Sequence, residues 1–285
     1  MTTKFAQVII GPAGSGKSTY IAHAKAFFDD MKRIVHCVNL DPAADLLPYD
    51  PEIDIRDAIN ITELMKKSNL GPNGALISCL EAITFNSKWF DEEIGEYEYD
   101  YLLIDMPGQI ELYSHMDVLP ELLQKLKLKG YNLIMVYFVD AQFLSDAGKF
   151  LSASLVALST MTMLELPHIN VISKCDLIDE EEMKKIYDFT EMETFAIMDR
   201  MKPNARILKL TEKVCELIDT FRLVQFRLLN YKEKDSLEDL IQSIDMIIQY
   251  YDNADYGDEE FKEVADEEPQ SLFDLVDFRE GPSPF

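Results

Sequence analysis

The sequence is short of basic residues, of cysteine and of long apolar runs. Lysine and arginine number 27 against 52 aspartates and glutamates, a formal charge of −25. A surplus of that size repels phosphate backbones and anionic headgroups, so neither direct nucleic-acid contact nor membrane docking is expected. Arginine is scarcest: Arg33, Arg56, Arg200, Arg206, Arg222, Arg227 and Arg279 are all there are, and they form no cluster. Cys37, Cys79, Cys175 and Cys215 are widely spaced with no C-x-x-C pair, which excludes a cysteine zinc site and a redox motif. They read as reduced thiols of a cytosolic or nuclear protein. The longest apolar run, Leu133–Val139, is far below the ~20 residues that span a bilayer. No signal-peptide core follows Met1-Thr2-Thr3-Lys4, and no internal repeat is visible, so a soluble, intracellular chain is expected.

What is present is enough for a core. Of 285 residues, 47% are apolar and 28% charged, near the globular average. The acid is uneven: residues 251–285 carry twelve acidic residues against Lys262 and Arg279, ten of the twenty-five excess negative charges. Within this tail, Leu272–Phe278 mixes apolar and acidic residues, as a docking segment or a disordered solubilising end would. Upstream, continuously apolar runs at Phe5–Ile10, Ile34–Asn39, Tyr101–Ile104, Leu133–Val139, Ile169–Ser173 and Leu223–Leu229 read as strands buried on both faces. Helical stretches lie between them, at 17–29, 112–128, 143–164 and 235–250. This alternation predicts an α/β, three-layer fold with a mostly parallel central sheet. About sixty residues separate the second strand from the third. They hold helical stretches from Ala58 to Lys67 and up to about Trp89, then an acidic turn, Asp91–Asp100. The domain therefore runs over 1–250 with an insertion at about 54–100, and 251–285 is an acidic, disordered tail.

The first strand ends in Gly11-Pro12-Ala13-Gly14-Ser15-Gly16-Lys17-Ser18, which fits G-x4-G-K-[ST] between a strand and a helix. Its glycines let backbone N–H groups turn onto phosphate oxygens, and the helix start adds partial positive charge. Lys17 is placed for the β- and γ-phosphates and Ser18 for Mg²⁺, with Thr19 on the same helical turn. Asp105-Met106-Pro107-Gly108-Gln109 ends the third strand as D-x-x-G, the nucleotide-sensing turn of GTP-binding proteins. There Asp105 can hold Mg²⁺ directly or through water, Gly108 can donate to the γ-phosphate, and Gln109 can orient water. Asp41, after the second strand, faces the triphosphate, caps the next turn, or both. The cluster Asp54-Ile55-Arg56-Asp57 is either functional or a solvated charge group, with Arg56 on phosphate or on Asp. Ser173-Lys174-Cys175-Asp176 resembles N/T-K-x-D: the Asp176 carboxylate accepts from guanine N1–H and N2–H, a donor pair adenine lacks, and the Lys174 stem can cover the base. Ser173 stands where asparagine is usual.

Together with Gly71-Pro72-Asn73 in the insertion, Asn39–Ala43 and Asp105–Glu111, these motifs resemble the GPN-loop GTPases, signal-recognition-type (SIMIBI) P-loop proteins. The resemblance covers about residues 4–250. Ala75–Glu81, Gln142-Phe143 and the compact C-terminus look most like the third eukaryotic group of that family. It implies GTP and GDP as ligands with Mg²⁺, and a homodimer or a heterodimer with another GPN-loop GTPase. The Gly71-Pro72-Asn73 loop would then reach toward the partner's γ-phosphate. Asp105, Gln109 and Glu111 would hold Mg²⁺ and the attacking water, with Asp41 and Asn73 as further catalytic candidates. The Asn73 amide can both donate to phosphate and accept from water, and Pro72 stiffens the approach. The resemblance also implies a role in assembly and nuclear import of RNA polymerase II, through its subunits or assembly factors, and a cytoplasmic location with shuttling to the nucleus. A slowly hydrolysing scaffold and a P-loop small-molecule kinase remain as alternatives.

Overall fold

The computed structural model describes residues 4–86, 88–95, 101–114, 116–144, 146–191, 205–221 and 224–253. Seven parallel strands form one sheet in the order β3-β2-β4-β1-β5-β6-β7. They are β1 (Lys4–Ile10), β2 (Val35–Asn39), β3 (Ile53–Asp54), β4 (Tyr101–Asp105), β5 (Tyr131–Asp140), β6 (His168–Ser173) and β7 (Phe226–Leu228). The apolar runs behave as expected of two-sided burial. Along β1, Ala6, Val8 and Ile10 enter one core while Phe5 and Ile9 enter the other.

The helices divide accordingly. On one face lie α1 (Lys17–Asp30), through Tyr20, Ile21, Ala24 and Phe28, and α11 (Lys234–Ile247), through Leu240, Ile241 and Ile244. On the other lie α4 (Pro72–Glu81), α5 (Trp89–Gly95), α7 (Val118–Leu128), α8 (Ala147–Leu164), α9 (Glu180–Glu191) and α10 (Ala205–Phe221). Short helices α2 (Ile55–Ala58), α3 (Ile61–Ser68), α6 (Ile110–Ser114) and α12 (Tyr250–Asn253) are the remaining α-helices of the described residues. The result is the three-layer α/β arrangement. All four cysteines are buried, and none is in a disulfide.

Several expected boundaries move. The stretch 112–128 is two helices, because Pro120 fits the first turn of α7 but would clash with a preceding carbonyl inside one continuous helix. The stretch 143–164 starts as helix only at Ala147: Asp146 accepts from Lys149 N–H at 3.1 Å and fixes that start, and Phe143 lies in a separate 3-10 turn, Ala141–Phe143. The first half of the acidic turn 91–100 is helix α5, held by Asp91 contacts to Lys125 at 3.6 Å and Lys129 at 3.4 Å. Residues 96–100 of that turn lie outside the described residues, as does the tail from 254 onward with its Leu272–Phe278 segment. Helix α8 is long and apolar enough to cross a membrane by length and composition, yet Phe150, Leu151, Ala157, Leu158 and Leu164 are packed in the core. Leu119, Leu122, Leu123 and Leu126 of α7 are core residues in the same way.

Candidate active site

The carboxyl edge of the sheet gathers the chemistry-bearing residues. Strand register sets Asp54 beside Asn39, Asn39 beside Asp105 and Asp105 beside Ile9, so the ends of β3, β2, β4 and β1 form one row. The phosphate loop leaves β1 at Gly11, with φ 140° and an ideal Cβ only 2.4 Å from the Phe138 carbonyl, so a side chain is excluded. Gly108 fills the same role from the D-x-x-G turn: a Cβ there would meet Ala13 Cα and N at 2.6 Å. With both glycines in place, Ala13 N–H donates to the Gly108 carbonyl at 3.2 Å and the two loops touch. Gly16 caps the start of α1, and Ser15 is buried beneath the loop, its Oγ without a hydrogen-bond partner among the described residues. Lys17 is 7% exposed and lies back across the loop, donating to Gly11 O at 3.0 Å and Pro12 O at 3.2 Å. Ala13, Gly14 and Thr19 are exposed.

Asp105, 2% exposed, receives Ser18 Oγ on its Oδ2 at 2.7 Å and Tyr49 O–H on the same oxygen at 3.0 Å. Its Oδ1 is buried with no hydrogen-bond partner among the described residues. An unpaired buried carboxylate oxygen beside a serine hydroxyl is a hard, oxygen-only donor set, which fits Mg²⁺. Among the described residues no cluster of three or more His, Cys, Asp or Glu could hold a metal. A cation here would take one carboxylate and one hydroxyl, and its remaining ligands from phosphate and water.

The charges around Lys17 are strained by burial. Burial pushes Lys17 down, against the upward pull of Asp105 and Asp41. Burial likewise pushes Asp105 up, opposed by Ser18, Lys17 and Tyr49, and pushes Asp41 up, opposed by the Ala43 N–H and Lys17. A polyphosphate beside Lys17 and a divalent cation beside Asp105 would each favour the charged form. Asp41 caps its turn as expected, its Oδ1 accepting from Ala43 N–H at 2.9 Å, and its carboxylate lies within the field of Lys17. Arg56 pairs with Asp54, through Nε at 2.9 Å and Nη2 at 2.5 Å, and its Nη1 donates to Ala44 O at 2.9 Å. The expected pairing of Arg56 with Asp is thus present. Gln109 is half-buried just before α6, and Glu111 is exposed in the first turn of that helix.

The base-reading turn closes the other end. Ser173 is buried and donates to Ser15 O at 2.5 Å and Val139 O at 3.2 Å, so it fastens the phosphate loop to β6 from below. Lys174 adopts φ 60° and its amine pairs with Asp140 at 2.7 Å. Lys232, from the loop after β7, donates to Asp176 O at 2.6 Å. Asp176 lines a cavity of about 630 Å³ together with Asn230, Lys232, Met183 and Tyr187. Gly71, Pro72 and Asn73 stand apart: all three are exposed at the N-terminus of α4, with Pro72 at its first position. Three contributors carry no motif signature. Tyr49, Asp140 and Lys232 reach the site from 56, 34 and 56 residues away from the motif residues they bond.

Comparison with known proteins agrees with this geometry. A family model described as "Conserved hypothetical ATP binding protein" matches residues 9–250. The chain is 40% identical over 250 residues to GPN-loop GTPase 3 of Dictyostelium discoideum, covering 87% of this chain and 88% of that protein. The chain belongs to the GPN-loop GTPase family. To the family member named GPN-loop GTPase 3 in Saccharomyces cerevisiae it is 41% identical, covering 85% of this chain and 92% of that protein. To the Danio rerio protein of that name it is 38% identical, covering 95% and 96%. Among solved structures, a GTPase from Pyrococcus abyssi in its apo form superposes with a TM-score of 0.73 at 26% identity, covering 88% of this chain and 98% of that one.

Proposed function

We propose that this member of the GPN-loop family binds GTP and hydrolyses it to GDP and phosphate, as a molecular switch. The observation that carries this reading is the contact of Ser18 with Asp105 beside the buried Lys17, on a loop that Gly108 touches directly. Lys17 neutralises charge on the β- and γ-phosphates, and the loop N–H groups cradle them. Gln109 and Asp41, at the mouth of the same row, orient the water that attacks the γ-phosphorus in line as the bond to the β-phosphate oxygen breaks. Ser18 and Asp105 would hold Mg²⁺, which supplies charge neutralisation when bound. Positioning and electrostatics account for the rate, with no covalent chemistry asked of the protein. The family model's description names ATP whereas the relatives are named for GTP. Asp176 is where that difference is decided, because its carboxylate matches the two donors of guanine.

The exposed Gly71-Pro72-Asn73 triplet supports a dimer, homomeric or with another GPN-loop GTPase, in which each protomer's loop completes its partner's site. In that setting the protein acts in assembly and nuclear import of RNA polymerase II, cytoplasmic and shuttling to the nucleus, with no nucleic-acid contact of its own. Phosphate release in a single turnover of Mg·GTP, with and without a dimer partner, tests the reading. Wild type releases phosphate, while Gln109→Leu binds GTP normally and releases it about a hundredfold more slowly, the low end of what one positioned catalytic group contributes. Equal rates would remove Gln109 from the mechanism. Phosphate transferred to an acceptor rather than released would favour the kinase alternative, and release too slow to detect with any partner would favour the scaffold.

A further inference from the structure

Tyr49 belongs to none of the phosphate-loop, D-x-x-G, base-reading or Gly-Pro-Asn motifs, yet its hydroxyl reaches the most buried carboxylate of the site. It lies in the segment 40–52 between β2 and β3, the segment that carries Asp41. Its O–H donates to Asp105 Oδ2 at 3.0 Å, the oxygen that also takes the Ser18 hydroxyl at 2.7 Å. Two donors on one oxygen fix the rotation of the carboxylate and leave Oδ1 buried and unpartnered. The segment itself is tied down on both sides of the ring. Asp41 N–H donates to Asn39 Oδ1 at 3.0 Å, Arg56 Nη1 holds the Ala44 carbonyl at 2.9 Å, and Glu52 N–H returns to Cys37 O at 2.9 Å. The tyrosine ring therefore projects from an anchored loop into the end of β4.

We propose that Tyr49 is a positioning residue of the nucleotide site: its hydroxyl holds the Asp105 carboxylate in the orientation that receives the divalent cation. It acts through Asp105 and touches neither nucleotide nor reacting atoms. It also ties the Asp41 loop to the cation, so that a cation bound at Asp105 restrains the loop that orients water. The proposal rests on the GTP-binding reading above. Hydrogen-bond partners behind a metal ligand commonly contribute about 10–100-fold to metal affinity, and Tyr49 is of that kind.

The test uses the full chain carrying GDP, with Mn²⁺ as the probe, read by electron paramagnetic resonance. Tyr49→Phe keeps the ring and removes only the hydroxyl. It weakens Mn²⁺ binding to the protein–GDP complex about tenfold, while GDP affinity in EDTA, which reports the phosphate loop and the fold, stays within about twofold of wild type. In an Asp105→Asn background the same substitution adds nothing further, because the carboxylate it positions is gone. Unchanged Mn²⁺ affinity in Tyr49→Phe, an equal loss in the Asp105→Asn background, or a parallel loss of GDP affinity in EDTA overturns the assignment. A wild-type chain that binds neither GDP nor Mn²⁺ overturns the nucleotide reading itself, and is told apart by the wild-type titration alone.

Discussion

At the scale of single residues, two glycines decide whether the site can form. Gly108 is in contact with the backbone of Ala13, a neighbour that has no rotamer by which to yield. Gly108→Ala forces the D-x-x-G turn and the phosphate loop apart, an overpacking cost of about 1–3 kcal/mol. Because the two loops meet where the phosphates bind, most of that cost falls on the nucleotide complex, and titration with a fluorescent GDP analogue shows roughly ten- to hundredfold weaker binding. The motif residues were legible in the sequence because their spacing along one turn or one strand end is itself the chemistry. Gly11, Lys17, Ser18, Asp105 and Gly108 stand together as expected. Ser173 was legible only as a member of the base-reading turn; its bond to Ser15 O fastens the loop from below. Tyr49 and Asp140 were not legible, because each meets its partner only after the strands are laid side by side.

Among the elements, α11 adds a buried ion pair to its apolar packing. Arg33, just after α1, grips Asp245 of α11 with Nη1 to Oδ2 at 2.6 Å and Nη2 to Oδ1 at 3.2 Å. Its guanidinium carbon also lies 3.7 Å from the Tyr250 ring centroid and 4.6 Å from that of Phe28. Asp245→Ala leaves a mostly buried cation without its carboxylate, and urea unfolding shows a loss of about 3 kcal/mol. At the amino end of β6, burial pushes His168 down to about 4, with a smaller upward pull from Asn170. The unfolded chain takes up this proton near pH 6.5 and the folded chain only near pH 4. The associated stability is therefore complete above pH 6.5 and is lost on acidification, by up to about 3 kcal/mol at pH 4. Urea midpoints at pH 7.5 and 5.0 fall accordingly in wild type and less steeply in His168→Gln. Strands buried on both faces were legible as continuous apolar runs, and α1, α7, α8 and α11 as helical stretches; α9 and α10, between β6 and β7, were not marked. The two-residue β3 was not, since Ile53–Asp54 is too short to leave a pattern and forms by pairing with Val38 and Asn39.

For the whole molecule, the charge of −25 is not spread as a uniform coat. Asp41, Asp54 and Asp105 converge on the carboxyl edge of the sheet, Asp245 is spent on Arg33, and ten of the excess negative charges belong to residues 251–285. The Gly-Pro-Asn triplet, by contrast, faces outward on α4. The sequence names the triplet, and the fold sets it at the exposed start of α4. The central claim is that this edge is built for guanosine triphosphate, and competition binding measures it most directly: displacement of a fluorescent GDP analogue from the full chain by GTP and by ATP, with Mg²⁺ present. Two charge-assisted hydrogen bonds from guanine to Asp176, each about 1.5–3 kcal/mol, predict that GTP displaces the analogue at least about a hundredfold more effectively than ATP. That preference collapses in Asp176→Ala, and Lys17→Ala binds neither nucleotide. ATP competing as well as GTP, or Lys17→Ala retaining wild-type affinity, would contradict the account.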